Sequence, residues 1–195
     1  MIICTPLFRL SNSNTDETRV VNDFVSLLSV EYEVIVVKPI PIYIGLEGFV
    51  RRYFGWLLMI INGSIDLSSE ESTITKLEGA KVHVIPYRRS FNRFIETDDL
   101  ETIGRIIASY RPDSVVFHWT LPSLLIAEHL KLNHSINSSL VVHELDPVKY
   151  LSRYGVSAKR LSIFRKVFAR NEQIKTKVED FVQATEILHS YYESK

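Results

Sequence analysis

Apolar and polar positions along this chain fall into two alternating patterns. Short, nearly continuous apolar runs occur at Met1 to Pro6, Tyr32 to Lys38, Lys81 to Pro86, Ser114 to Trp119 and Ser139 to His143. Such runs mark strands buried on both faces. Between them apolar residues recur at helical spacing. Val20, Val21, Phe24, Leu27 and Leu28 form one stripe. Ahead of it Thr15 stands as an N-cap, with Asp16 and Glu17 in the first turn, where the helix dipole favours acids. This predicts a helix ending near Ser29. Leu46 to Ile61 carries Phe49, Val50, Tyr53, Leu57 and Ile60 at the same period and stops at Asn62-Gly63. Further helices are predicted at Glu71 to Glu78, from Thr97 through Leu100, Ile103, Ile107 and Tyr110, and at Leu121 to Leu132 with Pro122 in its first turn. Pro39 and Pro41 are expected to end the second strand. Beyond His143 the pattern loosens. A helix from about Ser157, a short strand at Lys166 to Ala169, a helix at Asn171 to Phe181 and a weak strand at Glu186 to His189 complete the reading.

Strands alternating with helices at this spacing imply an α/β fold with a parallel sheet covered on both faces. Right-handed crossovers narrow the topology to a Rossmann-like, doubly wound sheet in a single domain over residues 1–195, with a linker starting near residue 183. Two of the strands stop on histidines, His118 and His143, with a helix between them. Their side chains should reach the carboxyl edge of the sheet, where open parallel sheets bind ligands.

Composition narrows the function. The chain has 195 residues, 46% of them hydrophobic, enough for a substantial core. Lys plus Arg and Asp plus Glu balance at 23 each, so no global field attracts nucleic acid, and none is expected as partner. The single cysteine, Cys4, reads as a small buried hydrophobe and fits a reducing, cytoplasmic compartment. No signal peptide is recognisable at Met1-Ile-Ile-Cys, and the apolar run Phe54 to Ile61 is too short to span a bilayer. Dinucleotide, P-loop and nucleophile-elbow motifs are missing, as is H-E-x-x-H. His143-Glu144-x-Asp146 carries ligand-type side chains, but residues this close seldom share one ion, so no metal is expected.

His118 admits two readings: a strand-end histidine satisfied by a neighbouring carbonyl, or an imidazole presented to a cleft for hydrogen bonding or proton handling. Trp119 beside it can stack on a sugar or pack in the core. In context the pattern resembles a known family. Arg111-Pro-Asp-x-Val-Val-x-x-His-Trp, a Pro-led helix, then Leu-Val-Val-His-Glu is similar to the amino-terminal domain of GT-B glycosyltransferases of family 4. Lys166-Val-Phe-Ala-Arg-Asn-Glu-Gln-Ile-Lys resembles that family's segment before the interdomain linker.

The resemblance covers essentially the whole chain and implies the acceptor-side half of a two-domain enzyme. That enzyme would move a sugar from a nucleotide-sugar to a saccharide or lipid-linked acceptor, without metal or cofactor. The donor would be held mainly by a carboxyl-terminal domain or partner subunit, so these residues alone should be inactive. His118 matches the family histidine near the reacting sugar. By the same resemblance Trp119, His143 and Glu144 are candidates for the acceptor site. Asp16, Glu17 and Arg19 would meet acceptor hydroxyls, or else form a plain helix start. The family's glycine-rich first loop is replaced by Leu7-Phe-Arg-Leu-Ser-Asn-Ser-Asn-Thr, where Ser11, Asn12, Ser13 and Asn14 would supply side-chain contacts instead. Glu70 and Glu78 share the spacing of the family's donor motif by chance. Arg51, Arg52, Tyr53, Phe54 and Trp56, with Tyr87 to Arg93, form either a core helix with solvated arginines or a face suited to anionic membrane at its inner surface. Two alternatives stand beside this reading: a non-catalytic Rossmann-like interaction module, and half of a sugar-nucleotide epimerase.

Overall fold

A computed structural model describes residues 1–5, 16–43, 73–77, 80–89, 94–182 and 185–187. In chain order the elements are β1 (Ile2–Cys4), α1 (Asp16–Ser29), β2 (Ile35–Tyr43), β3 (Thr73–Leu77), β4 (Ala80–Arg89) and α2 (Thr97–Ser109). They continue with β5 (Ser114–His118), α3 (Ser123–His134), β6 (Asn137–Val142), α4 (Pro147–Arg153) and a 3₁₀ turn (Ala158–Ile163). The last are β7 (Lys166–Ala169), α5 (Glu172–Val178) and β8 (Thr185–Ile187).

The strands form one eight-stranded sheet in the order β3-β4-β2-β1-β5-β6-β7-β8. Every neighbouring pair is parallel except β3 and β4. This is the Rossmann-like order expected from the alternation of elements, and its direction reverses between β1 and β5. Side-chain alternation sorts the core into two layers. Ile3, Val36 and Val82 face one way and pack on Val21, Phe24, Val25 and Leu28 of α1. Ile2, Cys4, Ile35, Val37, Val115, Phe117, Leu140 and Val142 face the other way, toward Ile103 and Ile107 of α2 and Leu124, Ile126 and Leu130 of α3. Helices therefore cover both faces, and the apolar runs are continuous because both faces are dry. Cys4 belongs to this core, and burial pushes its thiol pKa up. Leu27, expected in the α1 stripe, is 40% exposed instead.

Two expectations on the β4 side are corrected. Residues 73–77, read as part of a helix from Glu71 to Glu78, form β3, paired antiparallel with β4 from Thr73↔Val84 to Leu77↔Ala80. The pairing partner is the adjacent strand, and Thr-Ile-Thr suits a strand better than a helix turn. Nor do Pro39 and Pro41 end β2, which stays paired with β4 as far as Tyr43↔Arg89. The reason lies on the opposite side. Ile35 N donates to Met1 O and Val37 O accepts from Thr5 N, so odd-numbered β2 residues turn their backbone toward β1. The β1–β2 register ends at Cys4↔Val37. Pro39 and Pro41 thus place their missing N–H on a side where the ladder has stopped.

Helix α4 went unrecognised in the sequence. It is capped by Asp146, whose carboxylate accepts from Lys149 N at 2.9 Å, with Pro147 at the start. The helix expected from Ser157 is the 3₁₀ turn, capped by Ser157. Pro122 sits at the N-cap of α3 rather than inside its first turn. Among the described residues no helix is long and apolar enough to cross a membrane. The helix expected at Leu46 to Ile61 and the loop Ser11 to Asn14 lie outside the described residues.

Candidate functional site

Chain direction and register bring several polar side chains to the carboxyl edge beside the switch point. β5 pairs with β1 through Phe117↔Cys4 and with β6 through His118↔Val141. In that register Thr5 stands level with His118 and Val141, and Trp119 and His143 follow at the ends of their strands. Thr5 and His118 are fully buried and His143 is 2% exposed. His118 Nδ1 and His143 Nε2 lie 3.0 Å apart, a hydrogen bond between the two rings. Phe24 of α1 meets His118 edge-on at 5.2 Å, His118 and His143 stack at 5.2 Å, and Trp119 stacks on His143 at 6.0 Å. Four aromatic rings thus form one file across the switch point.

Both imidazoles are held neutral. Burial, and then the neighbouring His143, hold His118 well below the usual histidine pKa. Burial, and then the positive charge of Arg170, push His143 down to about 4. His118 Nε2 and His143 Nδ1 are both buried, and among the described residues neither has a hydrogen-bond partner. His118 bonds another histidine rather than a carbonyl, and among the described residues its outer nitrogen has no hydrogen-bond partner.

This edge is fastened by Glu144, 6% exposed. Its carboxylate accepts from Thr120 N at 2.6 Å, from Thr120 Oγ1, and from His143 N at 3.2 Å, so it ties the end of β5 to the end of β6. Burial raises its pKa, and these hydrogen bonds pull the other way. Trp119 N donates to Val141 O while Trp119 itself takes φ +78°, the left-handed region that side chains other than glycine seldom occupy. Strain of this kind gathers at functional sites. Trp119 is half-buried, and a hydrogen bond links it to the Tyr150 phenol of α4.

Sequence-derived candidates divide cleanly. The fold brings His118, Trp119, His143 and Glu144 together. Asp16 and Glu17 open α1, with Arg19 one turn in, and α1 follows β1, so its start is at the same edge; the side chains of these three lie outside the described residues. Asp146 is drawn away from any shared ion with His143 and Glu144 by capping α4 and meeting Lys177 at 3.4 Å. Among the described residues no three His, Cys, Asp or Glu side chains converge as a metal site. In the basic stretch, Tyr87 is buried, Arg88 is clamped by Asp99 at 3.0 Å and Asp98 at 3.5 Å, and Arg89 lies 4.0 Å over the Phe94 ring. Residues 90–93 lie outside the described residues.

Sequence reasoning missed Thr120 and Arg170. The signal for Arg170 was present: it directly follows β7, the same kind of strand-end position that singled out His143 after β6. A depression lined by Arg111, Asp113, His134 and Ser135 opens at the opposite, amino edge of the sheet. The buried unpartnered nitrogens of the two histidines are at the carboxyl edge, which is therefore the stronger candidate.

No protein-family model matches the sequence, and no curated protein matches it. Solved structures do. An α,α-trehalose-phosphate synthase (UDP-forming) from Burkholderia vietnamiensis is similar over 92% of this chain and 42% of its own, with a TM-score of 0.51 at 10% identity. The apo structure of OtsA is similar over the same shares, with a TM-score of 0.48 at 10% identity. The chain thus spans less than half the length of the structures it matches. Its fold is the Rossmann-like α/β half of a GT-B architecture.

Proposed function

We propose that this chain is the acceptor-binding half of a family 4-like glycosyltransferase, taking a sugar from a nucleotide-sugar to a saccharide or lipid-linked acceptor. The observation that carries this reading is the pair of neutral, buried imidazoles, each with an outer nitrogen that has no partner among the described residues, beside the switch point of a GT-B-type sheet. Buried polar atoms without partners cost about 1–3 kcal/mol each, so a site that keeps two of them is suited to a ligand that satisfies them.

Neutral rings suit neutral hydroxyls. His118, held well below the usual histidine range, is a poor general base near neutrality, since a base works best with a pKa near the operating pH. Its role is to hold a hydroxyl of the bound sugar by hydrogen bond in a water-poor site, where placement and fixed dipoles do most of the work. The half-exposed Trp119 offers an aromatic face beside it. Asp16, Glu17, Arg19 and the Ser11 to Asn14 loop complete the acceptor side in this reading. The donor nucleotide is held by a second half, and transfer needs both halves closed together.

Calorimetry with UDP- and GDP-sugars, beside a turnover assay, tests the proposal. The chain alone should bind these donors weakly and turn over none. Joined to a donor-binding half in cis or in trans, it should transfer sugar, and His118→Ala should cost roughly 10- to 100-fold, the worth of one buried hydrogen bond. Turnover by the 195 residues alone overturns the half-enzyme reading. Unchanged transfer by a folded His118→Ala variant removes His118 from the mechanism.

A further inference from the structure

The bond between the two histidines constrains more than their positions. A neutral imidazole carries one N–H and one bare nitrogen. Nδ1 of His118 faces Nε2 of His143 at 3.0 Å, so one of these two atoms must donate and the other accept. If His118 Nδ1 carries the proton, its Nε2 is bare; His143 Nε2 is then the acceptor, and its proton sits on Nδ1. If His143 Nε2 donates, His118 carries its proton on Nε2 and His143 Nδ1 is bare. The two rings always share the same tautomer, and their outer atoms always take opposite roles.

We propose that His118 and His143 form a coupled tautomer pair whose outer atoms, His118 Nε2 and His143 Nδ1, offer one donor and one acceptor together, so that a hydroxyl engaging one nitrogen fixes the role of the other. His143 is then a positioning residue: it sets the state in which His118 meets its ligand. The surroundings hold this arrangement in place. Phe24 packs on His118 and Trp119 on His143, which restrains rotation of both rings. Glu144 fixes the backbone at His143 and Thr120, and Ser123 Oγ donates to the His118 carbonyl at 3.2 Å. Among the described residues neither outer atom has a partner that would choose the tautomer in advance. The chemical class that fits is a neutral group able both to give and to take hydrogen bonds, such as neighbouring sugar hydroxyls. The pair carries no net charge to favour an anion or a cation.

This inference rests on the proposed reading of His118 as a ligand-facing group, but its test needs no sugar. Long-range ¹⁵N–¹H NMR of the full, unligated chain distinguishes protonated from bare imidazole nitrogens. The expectation at neutral pH is that His118 and His143 show the same tautomer, both Nδ1–H or both Nε2–H, or exchange between these two states together. His143→Gln, whose amide can still donate or accept, should keep His118 in a defined tautomer. His143→Leu should release it into a mixture. Opposite tautomers on the two wild-type rings, or an imidazolium on either at neutral pH, overturns the coupling, as does a single His118 tautomer in His143→Leu. The wild-type spectrum decides the matter even where a variant fails to fold. No transfer after joining to a donor-binding half, with coupling intact, would refute the proposed function alone, whereas opposite tautomers with normal transfer by the joined halves would refute the coupling alone.

Discussion

Acid should unfold this protein through its buried histidine pair, and the size of the effect follows from the site. His143 has a folded-state pKa of about 4, lowered first by burial and then by Arg170, against about 6.5 for an unfolded histidine. Between those values the unfolded chain binds a proton that the folded chain refuses, so stability rises with pH across the window. His143's contribution is fully present above about 6.5 and is lost as pH falls through 4. A difference of about 2.5 units at 1.36 kcal/mol each, most of it expressed by pH 4.5, is worth about 2–3 kcal/mol. His118 is shifted in the same direction and adds to the loss. His83 and His129, also lowered chiefly by burial, act with them. Glu144, raised by burial, acts in the opposite sense: its contribution is present at low pH and lost as pH rises through its folded pKa. Against a typical total of about 5–15 kcal/mol, the histidine term is large. Urea unfolding of wild type and His143→Gln at a series of pH values from 7.5 to about 4.5 isolates it. Wild type should lose about 2–3 kcal/mol more than the variant across that range. Parallel pH profiles would refute the assignment of His143 as a neutral, buried group.

Other perturbations reach separate parts of the account. Glu144→Ala strands three donors, Thr120 N, Thr120 Oγ1 and His143 N, and should cost about 2–5 kcal/mol in urea unfolding; a cost near zero contradicts the fastening role. Arg170→Ala removes the positive charge that disfavours the His143 imidazolium, so His143 should titrate above 4 by NMR; an unmoved titration contradicts that coupling. At the α2–α3 contact, a Cβ on Gly104 would sit 2.5 Å from His129 Cδ2 and 2.8 Å from its Nε2. Gly104→Ala should therefore destabilise wild type by about 1–2 kcal/mol, yet stabilise a His129→Ala background by about 1 kcal/mol through helix propensity. Equal effects in both backgrounds would show that the contact is not felt.

The sequence made the centre of the sheet legible and its margins less so. β5 and β6 announce themselves because strands covered on both faces must be apolar throughout, and the first polar residue after each, His118 or His143, marks the carboxyl edge. The α1 stripe shows Val21, Phe24 and Leu28 at the right spacing because only one side of that helix is buried. Thr73–Leu77 misled because five residues carry too little periodicity, and the strand exists through its pairing with β4. Helix α4, seven residues long, is likewise too short for a stripe, although Asp146-Pro147 is a start signal in its own right. That the two histidines would end neighbouring strands was readable. Their direct bond was not, since it depends on the β5–β6 register of His118↔Val141 and on the left-handed turn at Trp119. Thr120 escaped for the same reason: its partner Glu144 is 24 residues away and meets it only in the folded sheet.

The central claim is that a saccharide binds where the outer nitrogens of His118 and His143 emerge, and one titration tests it most directly. Mono- and oligosaccharides are added to the ¹⁵N-labelled chain while the imidazole nitrogens are followed by NMR. His83, bonded to Tyr110, and His129, beside Asn133, serve as internal references. A binding sugar should shift His118 Nε2 and His143 Nδ1 and leave His83 and His129 unmoved. Saccharide binding that shifts other residues while the His118–His143 pair stays silent would contradict it.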